Sequence, residues 1–537
     1  METRDGLFRR LEELNDIGAS LSSERNLSRL LEKILLAAKT ITHADGGTLY
    51  LVSEDKKHLH FEIVRTDSLG IAFGGTSGEP ISQKFADLPL YREDGSPNDS
   101  MVAAYAALTG KTVDIADAYT ADGFDFSGTR KFDAGTGYRS QSFLTVPMKN
   151  HEGEIIGVLQ LINAIDPAEA RVGPFSEADR RLAESLASQA AIALTNRQLV
   201  TQLEELFESF IKLINTAIDE KSPYTGGHCQ RVPVLTMLLA EAVNETKSGP
   251  LASFSLTDKD RYELRIAALL HDCGKVTTPV HVVDKATKLQ TIFDRIHMID
   301  TRFEVLKRDA EIAALKEIIA GKSEAVIRPQ LEADLQRMDA DRAFLRQANV
   351  GGERMSDDDI ERVRRIGSVY RWSNVQGEDA PFLTDNEVEN LTIRAGTLTQ
   401  VERETINHHI VATIKMLEQL PWPKHLKNVP EYAGGHHERM DGKGYPRGLK
   451  REQMSWQARM MGIADIFEAL TAKDRPYKNG MKLSQALGIL ENFRANGHID
   501  PDLFKVFMDK AVFSQYAENF LDAAQIDVPG AKAARIG

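Results

Sequence analysis

The pattern of apolar and polar positions predicts an α+β domain in the first third of the chain. Apolar residues recur at helical spacing over 27–44, and the pattern then changes to strand-like runs at 48–52 and 58–64. A β-hairpin is predicted from the apolar runs 142–148 and 155–163, which flank a short polar turn. These elements together predict an antiparallel sheet with flanking helices.

A long helix with an apolar seam is predicted to follow this domain. Ser176 and Asp179 have the spacing of a capping box, which marks the start of a helix. Farther along, apolar residues alternate steps of four and three, at Leu199, Leu203, Leu206, Phe210, Leu213 and Ala217. Such a seam favours two parallel helices, so we expect a homodimer. The alternative is a stripe that packs the helix against its own domain.

The rest of the chain is predicted to be helical, with an inserted segment at 289–398. One apolar stripe in this segment consists of Ile292, Ile296, Ile299, Phe303 and Leu306. A second stripe, after Gly321, consists of Leu331, Leu335, Met338 and Leu345. The two stripes predict a helical hairpin, which we interpret as a solvated spacer without a catalytic part.

The length of the chain agrees with a multidomain fold, because 537 residues exceed what one hydrophobic core usually holds. The predicted fold class is an α+β domain joined by a linker helix to an all-α domain that contains the insertion. The predicted order is an N-terminal helix (1–24), the α+β domain (25–195), the linker helix (196–220), the all-α domain (221–525) and a tail (526–537).

Composition narrows the range of partners. The formal charge is −13, from 66 basic and 79 acidic residues, and no basic run stands out, which argues against nucleic acid or an anionic membrane as a partner. Cys229 and Cys273 have no C-x-x-C spacing, so neither a disulfide framework nor a structural zinc site is expected. We find no signal-like or membrane-spanning apolar run and expect a cytoplasmic protein.

Histidine and aspartate residues form the main candidate site. His271 and Asp272 are adjacent, and Lys275 lies about one helical turn beyond His271. A lone His-Asp pair is more often a hydrogen-bonded core pair, but further donors occur here: His228 upstream, and His408, His409, His436, His437 and Asp465 downstream. Imidazole and carboxylate donors without thiolate suit iron, manganese, nickel or zinc at a hydrolytic site.

These segments, in this order, resemble the HD superfamily of metal-dependent phosphohydrolases. The sequence Asp-Gly-Lys-Gly-Tyr-Pro at 441–446, after His436 and His437 and before the Asp-Arg-Pro-Tyr-Lys at 474–478, resembles the HD-GYP family. The resemblance runs over about 220–525, the insertion excepted. Members of that family hydrolyse the bacterial second messenger cyclic di-GMP. The resemblance therefore implies a phosphodiesterase that forms pGpG, with further hydrolysis to GMP left open.

The N-terminal domain resembles a GAF domain. Its strand at 157–163 and the Arg-Lys-Phe-Asp segment at 130–133 are similar to those of cyclic-nucleotide-binding members. The resemblance implies regulation by a cyclic nucleotide or another small molecule. The alternative is a GAF domain that serves only dimerisation or protein contacts, because a fold does not fix its ligand.

The HD-GYP resemblance also implies a metal centre. Two divalent ions (Fe, Mn, Ni or Zn) would be held by His228, His271, Asp272, His409, His436, His437 and Asp465, with Asp272 bridging. His409 is preferred to His408 because it lies seven residues before the apolar pair that begins at Met416. Some members bind a third metal through a glutamate one turn before the first histidine. Tyr224 occupies that position here, which favours two ions.

The substrate contacts are likewise implied by the resemblance. They are Lys275, Gly442, Tyr445, Pro446, Arg475 and Lys478, and the catalytic pair is Asp272 and Lys275. Lys275 would offset charge in the transition state, and Arg475 would bind a phosphate with its guanidinium fork. Tyr445 would either stack on a guanine or pack the loop. Glu438 would either support the adjacent histidines or be a surface acid.

Two other functions remain open from the sequence. The metal centre could act on another cyclic dinucleotide or on a phosphomonoester. A degenerate domain could instead bind the nucleotide or a partner protein and signal without turnover. Three features argue against a degenerate domain: the full set of metal donors, Lys275 and the complete Gly-Tyr-Pro turn.

Overall fold

The computed structural model describes residues 4–81, 85–221, 227–352, 354–473 and 480–528. The chain divides into two compact units, Met1–Phe207 and Glu208–Gly537. Among the described helices, none combines the length and the apolar character that a membrane span requires.

The first unit is built on an antiparallel sheet. Its strands are β1 (Ala44–Val52), β2 (His58–Thr66), β3 (Ile71–Phe73), β4 (Leu88–Pro89), β5 (Val113–Ile115), β6 (Phe143–Lys149), β7 (Ile155–Ile165) and β8 (Val172–Gly173). The main strand order is β3-β2-β1-β7-β6-β5, with β4 paired to β2 and β8 to β7. The helices are α1 (Arg4–Ser23), α2 (Leu27–Thr42), α3 (Val102–Thr109), α4 (Ser127–Thr136) and α5 (Glu177–Lys221). The predicted α+β fold and its β6-β7 hairpin are confirmed.

The sheet has an apolar core on each face, because successive strand residues point to opposite sides. Leu49 belongs to a core shared with α2 and the first turns of α5, whereas the neighbouring Tyr50 belongs to a core shared with α3. The predicted capping box at the start of α5 is present. The Ser176 hydroxyl accepts from Asp179 N–H at 3.1 Å, and the Asp179 carboxylate accepts from Ser176 N–H at 2.9 Å.

Helix α5 exposes the predicted apolar seam. Leu203 is 64% exposed, Phe210 55% and Leu213 61%, although each is a large apolar side chain. Ile211 and Ile218, on another side of the helix, are buried. The seam is therefore not used to pack the helix against its own domain.

The second unit is predominantly helical. Its helices are α6 (His228–Asn244), α7 (Asp258–Leu270), α8 (Val280–Val283), α9 (Ile296–Ile319), α10 (Glu324–Asn349), α11 (Asp357–Val369), α12 (Asp385–Leu391), α13 (Gln400–Glu418), α14 (Val429–Gly434), α15 (Trp456–Thr471), α16 (Leu483–Ala495), α17 (Pro501–Asp509) and α18 (Val512–Phe520). The prediction of an all-α domain needs one correction, since β9 (Arg371–Ser373) and β10 (Asp379–Pro381) pair as a short antiparallel hairpin.

The inserted segment has its own core. Phe303 and Leu306 of α9 pack in one cluster with Met338 and Leu345 of α10, so the predicted helical hairpin is present. The prediction for Ile292 was wrong: this residue lies before α9 begins, and its side chain is 96% exposed. Leu331 and Leu335 are only half-buried.

Candidate metal centre

The described residues include all seven predicted metal ligands, and the fold brings them into one cluster. His228 is the first residue of α6, His271 and Asp272 directly follow α7, His409 lies in α13, His436 and His437 follow α14, and Asp465 lies in α15. Three overlapping groups have donor atoms within 4.8 Å of one another: His228, His271 and Asp272; His271, His436 and Asp465; and His409, His436 and His437.

A glycine allows the segment after Asp272 to approach α13. A Cβ at Gly274 would lie 2.0 Å from the His409 carbonyl oxygen and 2.6 Å from Thr413 N, so no side chain fits there. Gly274 N–H donates to the Thr413 hydroxyl at 2.9 Å. The His-Asp segment and His409 are thereby held against each other at backbone distance.

Asp272 lies between two groups of histidines. Its Oδ2 is 3.2 Å from the Nε2 atoms of both His228 and His271. Its Oδ1 is 3.3 Å from His409 Nε2. The two oxygens of one buried carboxylate thus face different imidazoles, which is the geometry that a bridging ligand requires.

Hydrogen bonds on the far side of the rings fix the imidazole tautomers. Nδ1 of His271 donates to the Ala268 carbonyl at 2.7 Å, and Nδ1 of His436 donates to the Ala433 carbonyl at 2.6 Å. His409 makes the same contact with the Ile406 carbonyl. With Nδ1 protonated, the lone pair of each ring lies on Nε2, the atom that faces the cluster.

Among the described residues, two of the buried polar side-chain atoms without a hydrogen-bond partner belong to predicted metal ligands. They are His436 Nε2 and Asp272 Oδ1, and both lie in the cluster. A buried acceptor without a partner costs about 1–3 kcal/mol. Divalent cations bound in the cluster would supply these atoms with partners, so the imidazole and carboxylate donors fit a metal cluster.

The electrostatics favour the protonation states that metal ligands need. Burial lowers the pKa of His437 to about 4 and lowers that of His436 well below its usual range. For Asp272, burial acts to raise the pKa, but Lys275 and the neighbouring imidazoles hold it well below its usual value. Neutral imidazole and ionised carboxylate are the forms that bind metals.

His228 differs from the other imidazoles. Burial acts to lower its pKa, but Asp272, Asp465 and Glu468 outweigh burial and raise it well above the usual value. These carboxylates attract positive charge at this position. A metal cation would satisfy the same carboxylates, and its binding would release the His228 proton.

A cavity of about 230 Å³ opens beside the cluster. Its walls include Arg231, Lys275, His437, Tyr445 and Asp465. Lys275 Nζ is 2.5 Å from Asp272 Oδ2, and its side chain is largely buried. Burial acts to lower the pKa of Lys275, but Asp272 raises it, so the amine stays charged at the edge of the cavity.

The Gly-Tyr-Pro loop borders this cavity. The Tyr445 ring stacks on His437 with centroids 4.8 Å apart, and Pro446 is half-buried next to it. Gly442 has φ +76°, a conformation that favours glycine. The surface-acid alternative for Glu438 was wrong, since Glu438 is buried and accepts from the N–H groups of Arg447 at 2.7 Å and Leu449 at 2.8 Å. Glu438 therefore holds the loop in place. Its support of the adjacent histidines stays a prediction.

Replacing Gly444 by alanine should lower kcat/KM for the substrate by about 10²-fold. A displacement of about 1 Å in a residue that positions the substrate has an effect of this size. The new Cβ would lie 2.4 Å from Arg439 N and 2.5 Å from Glu438 Cα, so the loop carrying Tyr445 must shift. Gly488→Ala is the control, because no atom lies within 4 Å of a Cβ there. An unchanged kcat/KM for Gly444→Ala would contradict this assignment.

Arg475, Lys478 and Tyr224 lie outside the described residues, so their predicted roles stay predictions.

Two side chains beside the metal ligands, Glu468 and Arg231, were not predicted from the sequence. Glu468 is fully buried and contacts both His228 and Arg231. Their signal was present in the sequence: Glu468 follows Asp465 by one helical turn, and Arg231 follows His228 by one turn.

Family models match both units of the chain. The GAF domain model matches residues 26–194, and HD domain models match residues 225–344 and 382–503. The chain carries a GAF domain followed by an HD domain. The HD domain contains the histidine and aspartate cluster, and α5 leaves the GAF domain and ends seven residues before His228.

Relatives of the HD domain are named as phosphodiesterases. The 3'3'-cGAMP-specific phosphodiesterase 3 of Vibrio cholerae is 25% identical over 318 residues, which is 59% of this chain and 42% of the relative. A cyclic di-GMP phosphodiesterase of Pseudomonas aeruginosa is 48% identical over 119 residues, which is 22% of this chain and 27% of the relative. The chain thus spans less than half the length of these relatives.

Solved GAF domains are among the structures to which part of this chain is similar. The GAF domain of an Acinetobacter phosphoenolpyruvate-protein phosphotransferase is 17% identical, covers 38% of this chain and 99% of that chain, and has a TM-score of 0.27.

Proposed function

We propose that this chain hydrolyses the phosphodiester bonds of cyclic di-GMP at a centre of two divalent cations. The observation that carries the proposal is the convergence of seven imidazole and carboxylate residues in one cluster, within which the two oxygens of Asp272 face different histidines. Divalent cations bound there would supply Lewis acidity toward the phosphate and a nucleophilic water. Iron, manganese, nickel and zinc all suit this donor set.

The protein's own side chains would bind and orient the phosphate. Lys275 is held by Asp272 at the edge of the cavity, where its charge would stabilise the equatorial oxygens of the transition state. Tyr445 lines the same cavity and would offer its ring to a guanine base. Arg475 and Lys478 are proposed to hold the second phosphate and lie outside the described residues.

A second candidate substrate is 3'3'-cGAMP. The relative that covers 59% of this chain carries that specificity in its name. Cyclic di-GMP and 3'3'-cGAMP share a guanine and two phosphodiester bonds, so the proposed site would act on either through the same chemistry.

A panel of nucleotides tests the proposal. The protein is purified without air, its metals are counted, and it is incubated with cyclic di-GMP, 3'3'-cGAMP, cyclic di-AMP and p-nitrophenyl phosphate. We expect cyclic di-GMP to have the highest kcat/KM, and chromatography of the products separates pGpG from GMP. Metal-loaded protein that cleaves no cyclic dinucleotide would contradict the proposal and favour a binding role.

Regulation by the GAF domain is proposed to act through α5. Lys221, the last residue of α5, donates to the carbonyl oxygen of Lys275 at 3.3 Å and also to that of Val276. Earlier in the helix, Glu208 pairs with Arg265 of α7. Glu208 thus contacts α7, the helix that ends just before Asp272, and Lys221 contacts the backbone of Lys275. A shift of α5 would therefore displace the segment that contains Asp272 and Lys275.

The exposed seam of α5 is proposed to form a parallel homodimer. Replacing Leu206 and Phe210 by aspartate should convert a dimer into a monomer, because two like charges per chain would enter an apolar interface. Size-exclusion chromatography with light scattering measures the mass. We expect basal kcat to stay within a few-fold of wild type, since neither side chain contacts the metal centre.

Val200→Asp is the matched control for the seam, because Val200 is exposed on α5 but lies off the a/d positions. It should leave the dimer intact. Wild-type protein that is monomeric at micromolar concentration would contradict the role of the seam.

A further inference from the structure

Glu468 is buried against a proposed metal ligand but has no donor atom in the cluster itself. Its side chain has 0% exposure. Oε2 accepts from Nδ1 of His228. Oε1 accepts from Arg231, whose Nε and Nη2 atoms both lie 2.6 Å away. Both oxygens of the Glu468 carboxylate, on α15, are therefore engaged by side chains of α6.

The contact is part of a reciprocal arrangement between two helices. His228 and Arg231 lie one turn apart on α6, and Asp465 and Glu468 lie one turn apart on α15. Asp465 Oδ1 is 3.1 Å from Nε2 of His228, on the other side of the ring from Glu468. Helix α15 thus holds the His228 imidazole at both nitrogens, so the ring cannot turn without losing one of the two contacts.

His228 differs from three other histidines of the cluster in the partner of its Nδ1 atom. His271, His409 and His436 each bond the carbonyl three residues earlier, a contact supplied by the local backbone. His228 is the first residue of α6, and its Nδ1 bonds the Glu468 carboxylate of α15. The Nδ1 contact of His228 is thus supplied by a side chain of another helix. A carboxylate acceptor also increases electron donation from Nε2.

We propose that Glu468 is a positioning residue that fixes the tautomer and orientation of His228 for metal binding, with Arg231 holding the Glu468 carboxylate in place. The proposal rests on the metal centre of the proposed function. It predicts that removing the carboxylate weakens metal binding even when the seven donors are intact.

The test is equilibrium binding of Mn²⁺ to metal-free protein. Wild type and Glu468→Gln are dialysed against a series of free Mn²⁺ concentrations, and bound metal is counted by mass spectrometry. We expect about 10- to 100-fold weaker binding of at least one Mn²⁺ ion, the usual effect of removing the partner of a ligating histidine. Circular dichroism checks that the variant is folded.

Glu263→Gln is the matched control. Glu263 is also a buried glutamate with two acceptor contacts, to the N–H of Asn428 at 2.7 Å and to its side-chain amide at 3.1 Å. Its loss should lower the melting temperature and leave the Mn²⁺ affinity unchanged. This separates a positioning role of Glu468 from general destabilisation of the domain.

Glu468→Asp covers the case in which the amide variant does not fold. It keeps the charge but is one carbon shorter, so it too should bind Mn²⁺ more weakly. Wild-type affinity in whichever variant folds, with wild type binding Mn²⁺, would overturn the role of Glu468 alone. Wild-type protein that binds no Mn²⁺ would overturn the metal centre and this proposal together.

Discussion

Replacing Asp272 by alanine should remove bound metal and lower kcat for cyclic di-GMP by about 10³-fold or more. The reason is that bound metal ions lower the activation free energy of hydrolysis by several kcal/mol. Asp272 is the carboxylate that faces histidines on two sides, with Oδ2 3.2 Å from His271 Nε2 and Oδ1 3.3 Å from His409 Nε2. It also balances the charge of Lys275. The readouts are metals per chain and the rate of product formation.

Asp341→Ala is the control for this substitution. Asp341 is likewise buried and bonded, to Arg362 at 3.0 Å and to the Tyr370 hydroxyl at 3.0 Å, but it lies in the inserted segment. Its loss should cost stability and leave metal content unchanged. Asp272→Ala protein with full metal content and wild-type turnover would contradict the bridging role.

Replacing Lys275 by alanine should lower kcat by about 10²- to 10³-fold, the usual cost of removing one group that stabilises transition-state charge. The Lys275 amine is held 2.5 Å from Asp272 and lines the cavity, so it is preorganised where phosphate charge would develop. The seven donors remain in place. Metal content should therefore stay near that of wild type while kcat falls.

Lys285→Met controls for the loss of a buried lysine. Lys285 pairs with Glu402 at 2.7 Å and bonds Asn390 at 2.8 Å, outside the metal cluster. Steady-state kinetics and metal counts on both variants separate the two effects. A Lys275→Ala enzyme with unchanged kcat would exclude this lysine from transition-state stabilisation.

The donors of the metal centre could be predicted because their chemistry lies in residue type and order along the chain. The choice of His409 over His408 agrees with the geometry: His409 is buried beside Asp272, whereas His408 is exposed. The groups that orient the donors could not be predicted in the same way. The contact of Glu468 with His228 depends on how α15 packs against α6, and spacing within one helix does not fix that packing.

The loop contacts show the same limit. Glu438 follows two histidines directly, which suggested a role beside them, yet its carboxylate turns to the N–H groups of Arg447 and Leu449. These contacts join residues nine and eleven positions apart, so they depend on how the loop folds in three dimensions. Residue type alone could not distinguish this role from that of a surface acid.

The fold could be predicted where the apolar period was long and regular. The strands and hairpin of the first unit and the helical hairpin of the insertion are all present. Ile292 was misplaced because its spacing continues the α9 stripe, whereas Asp294 accepts from Ile296 N–H at 3.0 Å and the helix begins there. The β9-β10 hairpin was missed although Asn374 and Gly377 form a turn between its strands.

The most direct test of the metal centre is crystallography of metal-loaded protein with anomalous scattering. The account predicts two anomalous peaks, one on each side of the Asp272 carboxylate, the first within bonding distance of His228 and His271 and the second within bonding distance of His409 and His437. Protein that hydrolyses cyclic di-GMP with no anomalous peak at Asp272 would contradict it.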